Sequence, residues 1–362
     1  IALDIPEEVF FDVMAMNFAF EALGTDANNA SAMSTFVGAN LRRNRALAGR
    51  NDLVYGDLAY SPEFYATVFG PKIAQLVLST SLQDGDTPLV MDSITALSKT
   101  AGAEALLQSG SQPIVVAMQY PDRRVQYEAA MTLASTLPES YFEGSYQVVP
   151  LLASAIRQQG EEFAIVIGDD ADVRREIRAF LQTNGWTVVG EGVTTDEAID
   201  AAGAVAGIDL VVAIARSTEH GQLVVDNAAL MPKTIVSPVL LLCEGLDEQA
   251  LASALENSTM VAVTNIGKES ARLGIIEDLI HLTAGGRLSH EEQSAFSTRA
   301  LSVLRDIALA DCVLDVKDAT APLIEALRLA GEDAQIVIAQ TLSMIESSNA
   351  QGALIDAALA TS

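Results

Sequence analysis

The chain has 362 residues, and its 48 acidic and 21 basic side chains give a formal net charge of -27. A protein that binds nucleic acid through a general basic surface is excluded, because such binding requires Lys and Arg to neutralise phosphates; we expect no nucleic-acid partner. Half of the residues are hydrophobic, so the chain can form packed cores and is not disordered. The length predicts two or three domains, at roughly 100–200 residues each.

The two cysteines, Cys243 and Cys312, lie far apart and lack the CxxC spacing of metal or redox sites. We expect both to be small core residues. Because no run of about 18 apolar residues occurs, we predict no transmembrane segment. The chain starts at Ile1 and not at methionine, so the sequence leaves the localisation open.

Residues 1 to 160 show a helical period. Pro6 followed by two acids predicts a helix start, and the polar stretch 26–29 predicts a break before a second helix. That helix ends in Arg42-Arg43-Asn44-Arg45, where cations complement the negative end of the helix dipole; a phosphate-binding patch is the alternative. Residues 51–62 are predicted to form a connecting loop.

Three predicted helical hairpins share one pattern, which begins near residue 71. In each, an acidic turn joins two helices, and the last apolar positions of the two helices are 15 residues apart. A repeated helix pair that cannot bury its apolar face alone is the unit of an α-solenoid; an ordinary helical bundle is the alternative. The three sets are Leu78, Leu82, Ile94 and Leu97; Ile114, Met118, Ala130 and Leu133; and Leu323, Leu327, Ala339 and Leu342.

Two segments, 113–134 and 322–327, resemble HEAT repeats. The resemblance is carried by the Asp122-Arg123-Arg124-Val125 start of a second helix and by its Ala129-Ala130 core contact. It covers roughly 71–160 and 310–360. The resemblance implies a scaffold for protein contacts and not a reaction.

Between residues 161 and 268, short apolar runs alternate with amphipathic segments. The runs are typical of strands buried on both faces of a parallel sheet, and the alternation predicts a doubly wound, three-layer α/β sandwich. Residues 217–221 are predicted to form a polar loop after the third strand, at the edge where α/β proteins bind ligands. The predicted strands are 163–168, 186–189, 208–215, 238–243 and 259–264.

The order and length of these elements resemble the receiver domain of two-component response regulators, with the first strand and its acidic pair at 164–170. The resemblance implies a flavodoxin-like fold in which first-strand acids hold Mg²⁺ beside an acceptor Asp at the end of the third strand. In this chain Ala213 or Ile214 stands at the acceptor position, and Asp209 lies at the start of the strand. Cys243 and Asn265 stand where receivers carry Thr or Ser and Lys, and Lys268 is displaced. We therefore predict a degenerate pseudo-receiver without a phosphorylation site.

Asp169 and Asp170 are the remaining elements of such a site. They are our candidate metal ligands, for a residual divalent-ion site; capping of the following helix is the alternative. We predict no catalytic residue and no cofactor, because dinucleotide, Walker, nucleophile-elbow and zinc-protease motifs are missing. Gly190-Glu191-Gly192 lacks the third glycine of a dinucleotide turn. The three histidines are expected to be surface residues: His220, His281 and His290.

From 269 to 362 the sequence is helical again, and Ser289 followed by His290-Glu291-Glu292 predicts the start of one helix. We therefore expect three regions: helices over 1–160, the α/β domain over 161–268 and helices over 269–362. We expect the α/β domain to pack on the helices through apolar faces. This order resembles planctomycete-type HEAT-repeat proteins of unassigned role, which adds a fold expectation and no activity.

These observations predict a non-catalytic protein-interaction scaffold, not an enzyme, whose acidic surface binds a basic protein partner. One alternative is a signalling protein whose receiver-like domain binds a divalent ion, a phosphoryl donor or a small ligand. The other is a small-molecule enzyme with an unrecognised site. The sequence does not indicate the partner or the oligomeric state.

Overall fold

The computed structural model describes residues 7–47, 64–107, 112–156, 162–203, 205, 207–231, 233–243, 248–256, 258 and 260–360. It divides into two compact units, 1–118 and 119–362. The predicted region boundaries at 160 and 268 lie inside the second unit and stay predictions. The predicted helix start at Pro6 and the predicted loop over 51–62 lie outside the described residues.

The first unit is helical in its described parts. A short 3₁₀ turn at Glu7–Val9 precedes the first helix. The α-helices of this unit are α1 (Phe10–Thr25), α2 (Ala30–Ala46), α3 (Phe64–Phe69), α4 (Pro71–Asp84), α5 (Thr87–Thr100), α6 (Ala103–Leu106) and α7 (Pro113–Ala117).

Side-chain caps set the helix boundaries in this unit. The Asn29 side chain accepts the Ala32 N–H at 3.0 Å, which confirms the predicted polar break before α2. Gly85 adopts a left-handed conformation after α4, and Asp86 caps α5 by accepting the Leu89 N–H at 3.1 Å. The helices α4 and α5 thus form the first predicted hairpin.

The arginines that end α2 contact side chains of the same unit, and two of the three pair with acids. Arg42 Nε donates to Asp12 at 2.8 Å, and Arg45 pairs with Asp92. Arg43 is buried and donates to the Asn44 side chain at 3.2 Å. These contacts engage the arginines inside the unit, so nothing in them favours the phosphate-patch alternative.

The second unit combines helices with one sheet. The strands are β1 (Glu162–Ile167), β2 (Trp186–Gly192), β3 (Leu210–Ala215), β4 (Val239–Cys243) and β5 (Val261–Asn265). The helices are α8 (Arg123–Ala134), α9 (Ser145–Ala155), α10 (Ala171–Thr183), α11 (Thr195–Ala202), α12 (Thr218–Leu230), α13 (Glu248–Ala254), α14 (Glu269–Ala284), α15 (His290–Leu309), α16 (Thr320–Leu329), α17 (Glu332–Ser343) and α18 (Ser348–Ala360), with a 3₁₀ turn at Val316–Ala319.

The five strands form one parallel sheet in the order β2-β1-β3-β4-β5. Helices cover both of its faces. Residues of α11, α12 and α13 pack on one face, and residues of α10 and α14 pack on the other. The chain is therefore an α and α/β protein, as predicted at this level, and all five predicted strands are present.

Helix α14 packs on the sheet. Ile276, Leu279 and Ile280 share a core with Leu240 and Leu242 of β4. The predicted boundary at 268 places this helix with the C-terminal helices, whereas its apolar face completes the second helical layer of the α/β domain.

The predicted polar loop over 217–221 is wrong. Ser217 caps α12 by accepting the His220 N–H at 3.1 Å, and the helix begins at Thr218. Gly221, which favoured the loop interpretation, lies where α12 packs tightly on the sheet. A Cβ at this position would lie 3.0 Å from Leu251 Cδ1 and 3.3 Å from Leu241 Cδ1.

Gly190 and Gly192 also serve packing. A Cβ on Gly190 would lie 2.0 Å from the Ala198 carbonyl oxygen, and one on Gly192 would lie 2.5 Å from the Ala198 N atom. The two glycines therefore let the backbone of α11 approach β2 closely.

The remaining helices of the second unit pack on one another. Helices α8 and α9 pack together, α15 contacts both, and α16, α17 and α18 are mutual neighbours. The pair α16 and α17 forms the third predicted hairpin, with Leu323 and Leu342 buried. The second predicted hairpin pairs α7 with α8, which belong to different compact units.

Candidate functional site

The carboxyl ends of β1 and β3 define the edge where a ligand site is expected. The two strands are neighbours, but the helices that follow them, α10 and α12, lie on opposite faces of the sheet. Ligands of open α/β sheets bind in the crevice that such a topological switch creates. The residues that leave the strands here are Gly168, Asp169 and Asp170 after β1, and Arg216 and Ser217 after β3.

Asp170 caps α10. Its carboxylate accepts the N–H groups of Asp172 at 2.8 Å and Val173 at 3.2 Å. An acid at this position satisfies orphan amides and interacts favourably with the helix dipole. The structure thus provides the contacts of the capping alternative for this residue.

Asp169 forms an ion pair with Arg216. The backbone N–H of Arg216 contacts His220 Nδ1 at 3.5 Å, and burial together with the Arg216 charge lowers the pKa of His220, although Asp169 opposes the shift. His220 is accordingly neutral at pH 7, which makes the edge a paired carboxylate and guanidinium beside a neutral imidazole.

A second arginine secures the backbone at this edge. Arg174 of α10 donates to the carbonyl of Gly168, and to that of Asp169 at 3.0 Å. Its Nε also lies 3.9 Å from Glu191, which Arg178 contacts at 2.8 Å. Cations of the chain itself therefore pair with Asp169, which follows β1, and with Glu191 of β2.

Apolar side chains stand at the end of β3, where the receiver resemblance predicts an acceptor. Ala213 and Ile214 are buried, and Ile214 packs so closely over β1 that a Cβ on Gly168 would lie 2.4 Å from its Cδ1 atom. Gly168 is therefore required for this packing. Neither residue offers an oxygen to a phosphoryl group.

The other predicted site positions are engaged locally. Cys243 is buried, with its Sγ 3.4 Å from the Thr264 carbonyl. Asn265 accepts the Gly267 N–H at 2.9 Å, and Lys268 pairs with Glu248 at 2.7 Å. Among the described residues, no three or more His, Cys, Asp or Glu side chains group as metal ligands. The divalent-ion site at Asp169 and Asp170 therefore stays a prediction without a third ligand.

The opposite edge of the sheet, where the strands begin, is held to the helices by ion pairs. Arg123 of α8 pairs with Asp209, whose carboxylate also accepts the Phe163 N–H at 2.8 Å. Arg287 pairs with Glu162 at 2.8 Å. We call these two pairs the amino-edge seam. We expected the sheet to pack on these helices through apolar faces, whereas at this edge the contacts are ion pairs.

The seam strongly favours the charged form of its buried arginine. Burial alone lowers the pKa of Arg123, but the Asp209 carboxylate and Tyr127 together raise it above its ordinary value. The side chains of Arg123 and Asp209 are 12% and 11% exposed. Asp209 lies too early in the sequence to be a phosphoryl acceptor. In the structure it joins α8 to the sheet through its ion pair with Arg123.

The two arginines of the HEAT-like motif act on different elements. While Arg123 reaches the sheet, Arg124 contacts Glu292 of α15 at 2.6 and 3.0 Å and donates to the Gly285 carbonyl at 3.2 Å. Ser289 and Glu292 form a capping box, which confirms the predicted helix start. The Arg124 bond and the Ser289 amide lower the pKa of Glu292 to about 2.

The last three helices form an acidic surface. Residues 320–360 contain five acidic residues and one basic residue, all of them exposed. Exposed large apolar side chains lie on or next to these helices, and such patches beside polar residues are typical of contact surfaces. The exposed apolar residues are Leu309, Leu329, Ile336, Met344, Ile355 and Leu359.

In the described part of the chain, none of the helices has both the length and the apolar character to cross a bilayer. Comparison of the chain with models of protein families, with curated proteins and with solved structures returned no match. The resemblances to HEAT repeats and to receiver domains therefore stay predictions.

Proposed function

We propose that this protein is a non-catalytic interaction scaffold, in which HEAT-like helical hairpins and a pseudo-receiver domain present an acidic surface to a basic protein partner. The main support is the Asp169–Arg216 ion pair. Asp169 is thereby paired with a cation of the chain itself, while Ala213 and Ile214 leave the carboxyl end of β3 without a side-chain acceptor.

The partner's chemistry follows from the acidic surface of α16, α17 and α18. Exposed acids and exposed apolar side chains occur together on and between these helices. A basic amphipathic segment complements both features, because its cations meet the carboxylates while its apolar face covers the hydrophobic residues.

A charge-reversal experiment tests this proposal. We replace three exposed acids of the surface, Glu325, Glu346 and Asp356, with Lys and compare binding of a synthetic Lys/Leu amphipathic peptide to the full chain. The matched control reverses three exposed acids elsewhere, Glu21, Glu277 and Asp278, so that both variants have the same net charge.

We expect the surface variant to bind the peptide at least about tenfold more weakly than the control, which corresponds to 1.4 kcal/mol. We also expect wild-type binding to weaken as salt rises to about 0.15 M. Equal affinity in the two variants contradicts the location of the surface, and affinity that does not depend on salt contradicts charge as the basis of recognition.

The signalling alternative is favoured by the position of Asp169 and Asp170 at the topological switch point. Calorimetric titration of the full chain with Mg²⁺ and acetyl phosphate tests it, with Asp169→Ala as the control. Saturable binding that the substitution abolishes supports the alternative, and absence of heat contradicts it.

A further inference from the structure

A cavity of about 250 Å³ lies at the amino edge of the sheet, beside the amino-edge seam. Its volume lies just below the range for ligand pockets, about 300–1,000 Å³, which limits an occupant to a small molecule. The lining combines aromatic rings with the charged seam. The residues that carry the argument are Trp186, Tyr127, Phe296, Gln293, Glu162 and Arg287.

Two polar side chains of the lining are not used by the protein. Trp186 is 2% exposed, and its Nε1 donor is buried without a hydrogen-bond partner among the described residues. The half-buried Gln293 amide also makes no side-chain hydrogen bond within the described chain. The Trp186 donor has almost no accessible surface and is out of a ligand's reach, whereas the Gln293 amide can bind a polar group inside the cavity.

The charges of the lining select the kind of ligand. Arg123 and Asp209 neutralise one another, as do Arg287 and Glu162, so the cavity has no net charge. A ligand with a net charge would leave an uncompensated ion in a partly buried site, which is unfavourable. A ligand with one cationic and one anionic group can pair with both ends of the Arg287–Glu162 pair.

This pair is also the accessible one. The Arg287 side chain is 51% exposed and lies 6.0 Å from the Trp186 ring, so it stands at the rim. Burial raises the pKa of Glu162, and Arg287 offsets this only in part. Arg287 therefore compensates the charge of the Glu162 carboxylate only in part, and a second cation nearby would stabilise that charge.

We propose that the cavity binds a small zwitterion of the α-amino-acid class. Its carboxylate accepts from Arg287, and its ammonium group pairs with Glu162. Its side chain lies against Tyr127 and Phe296, whose ring centroids are 5.4 Å apart.

The experiment uses Trp186, which is the single tryptophan of the chain, as a fluorescent reporter in the full-length protein. Standard L-amino acids are titrated one at a time to millimolar concentration, with calorimetry as the second measurement. For L-leucine the matched probes are 4-methylpentanoate, which lacks the amine, and 3-methylbutylamine, which lacks the carboxylate. For any other amino acid that binds, the matched probes are its analogues that lack the amine or the carboxylate.

We expect saturable binding of at least one amino acid, with at least about tenfold weaker binding of both matched probes. Glu162→Gln should weaken binding of the amino acid about tenfold. Arg175→Gln, which removes an exposed arginine paired with Asp172, should have no effect. Gln293→Leu alters the lining without breaking an ion pair, and it should also weaken binding. This variant replaces Glu162→Gln if Glu162→Gln does not fold.

The proposal is overturned if no amino acid perturbs Trp186 or gives heat, or if the carboxylate probe binds as tightly as the amino acid. Unchanged affinity in the folded Glu162→Gln and Gln293→Leu variants also overturns it, because the ligand would then bind elsewhere.

Discussion

Asp169 and Asp170 are neighbours in the sequence but have different partners. Asp170 accepts two amide hydrogens at the start of α10, whereas Asp169 pairs with Arg216 in a partly exposed setting. An N-cap stabilises a helix directly, whereas an exposed ion pair contributes little.

We therefore expect Asp170→Ala to lower the free energy of unfolding by about 1 kcal/mol, and Asp169→Ala by less than about half of that. Chemical denaturation of both variants measures the difference. Asp170→Asn is the control and should be almost neutral, because Asn is an equally good cap. A larger loss in Asp169→Ala would show that capping is not the main role of this pair.

Glu292 predicts a pH dependence at one residue. The ordinary carboxyl pKa of 4.5 falls to about 2 in the folded chain. A group with a lowered pKa in the folded state contributes stability above its unfolded pKa, and this stability is lost as pH falls from about 4.5 towards 2. Because the side chain is more than a third exposed, we expect a contribution of only about 1 kcal/mol.

Denaturant unfolding at pH 7 and at pH 3 measures this contribution in wild type and in Glu292→Gln. The difference in stability between the two proteins should be largest at pH 7 and smaller at pH 3. A difference that does not change with pH would mean that the carboxylate charge is not responsible.

At the scale of elements, α8 is tied to the sheet by the buried Arg123–Asp209 pair. Removing one partner of a buried pair leaves the other charge uncompensated, so we expect Arg123→Met to cost about 3–5 kcal/mol. Arg299→Met, which removes an exposed partner of Glu128, should cost less than about 1 kcal/mol. Thermal and denaturant unfolding compare the two variants.

The double variant Arg123→Met with Asp209→Asn keeps the measurement informative if the single variant does not fold. It removes both charges, and the side-chain oxygen of the introduced asparagine can still accept the Phe163 N–H. We expect it to be more stable than Arg123→Met alone. Additive losses would refute a coupled pair.

The strands could be predicted because each contains a short apolar run, which is buried along almost the whole length of the three central strands β1, β3 and β4. Helix α12 was missed because Ser217 and Gly221 are typical of loops, although one caps the helix and the other permits close packing. The Arg123–Asp209 pair joins positions 86 residues apart, and a single sequence has no periodic signal for such a contact. The ion pairs and the cavity of the amino edge therefore required the structure.

At the scale of the whole molecule, the net charge of -27 opposes folding through self-repulsion. Salt has two opposite effects here, since it screens this repulsion and also weakens exposed ion pairs. Those pairs are worth about 0–1 kcal/mol each, and the buried Arg123–Asp209 pair is screened much less. The excess of acids should therefore decide the sign of the salt dependence.

We expect the melting temperature at pH 7 to rise as NaCl increases from about 10 mM to about 150 mM, over which the Debye length falls from about 30 to 8 Å. Scanning calorimetry measures this, with choline chloride at equal ionic strength to exclude specific Na⁺ binding. The variant with Glu325, Glu346 and Asp356 changed to Lys has a less negative net charge and should respond less. A melting temperature that falls with salt would mean that ion pairs outweigh self-repulsion, and the acidic surface would then be stabilised by internal pairing and not held ready for a basic partner.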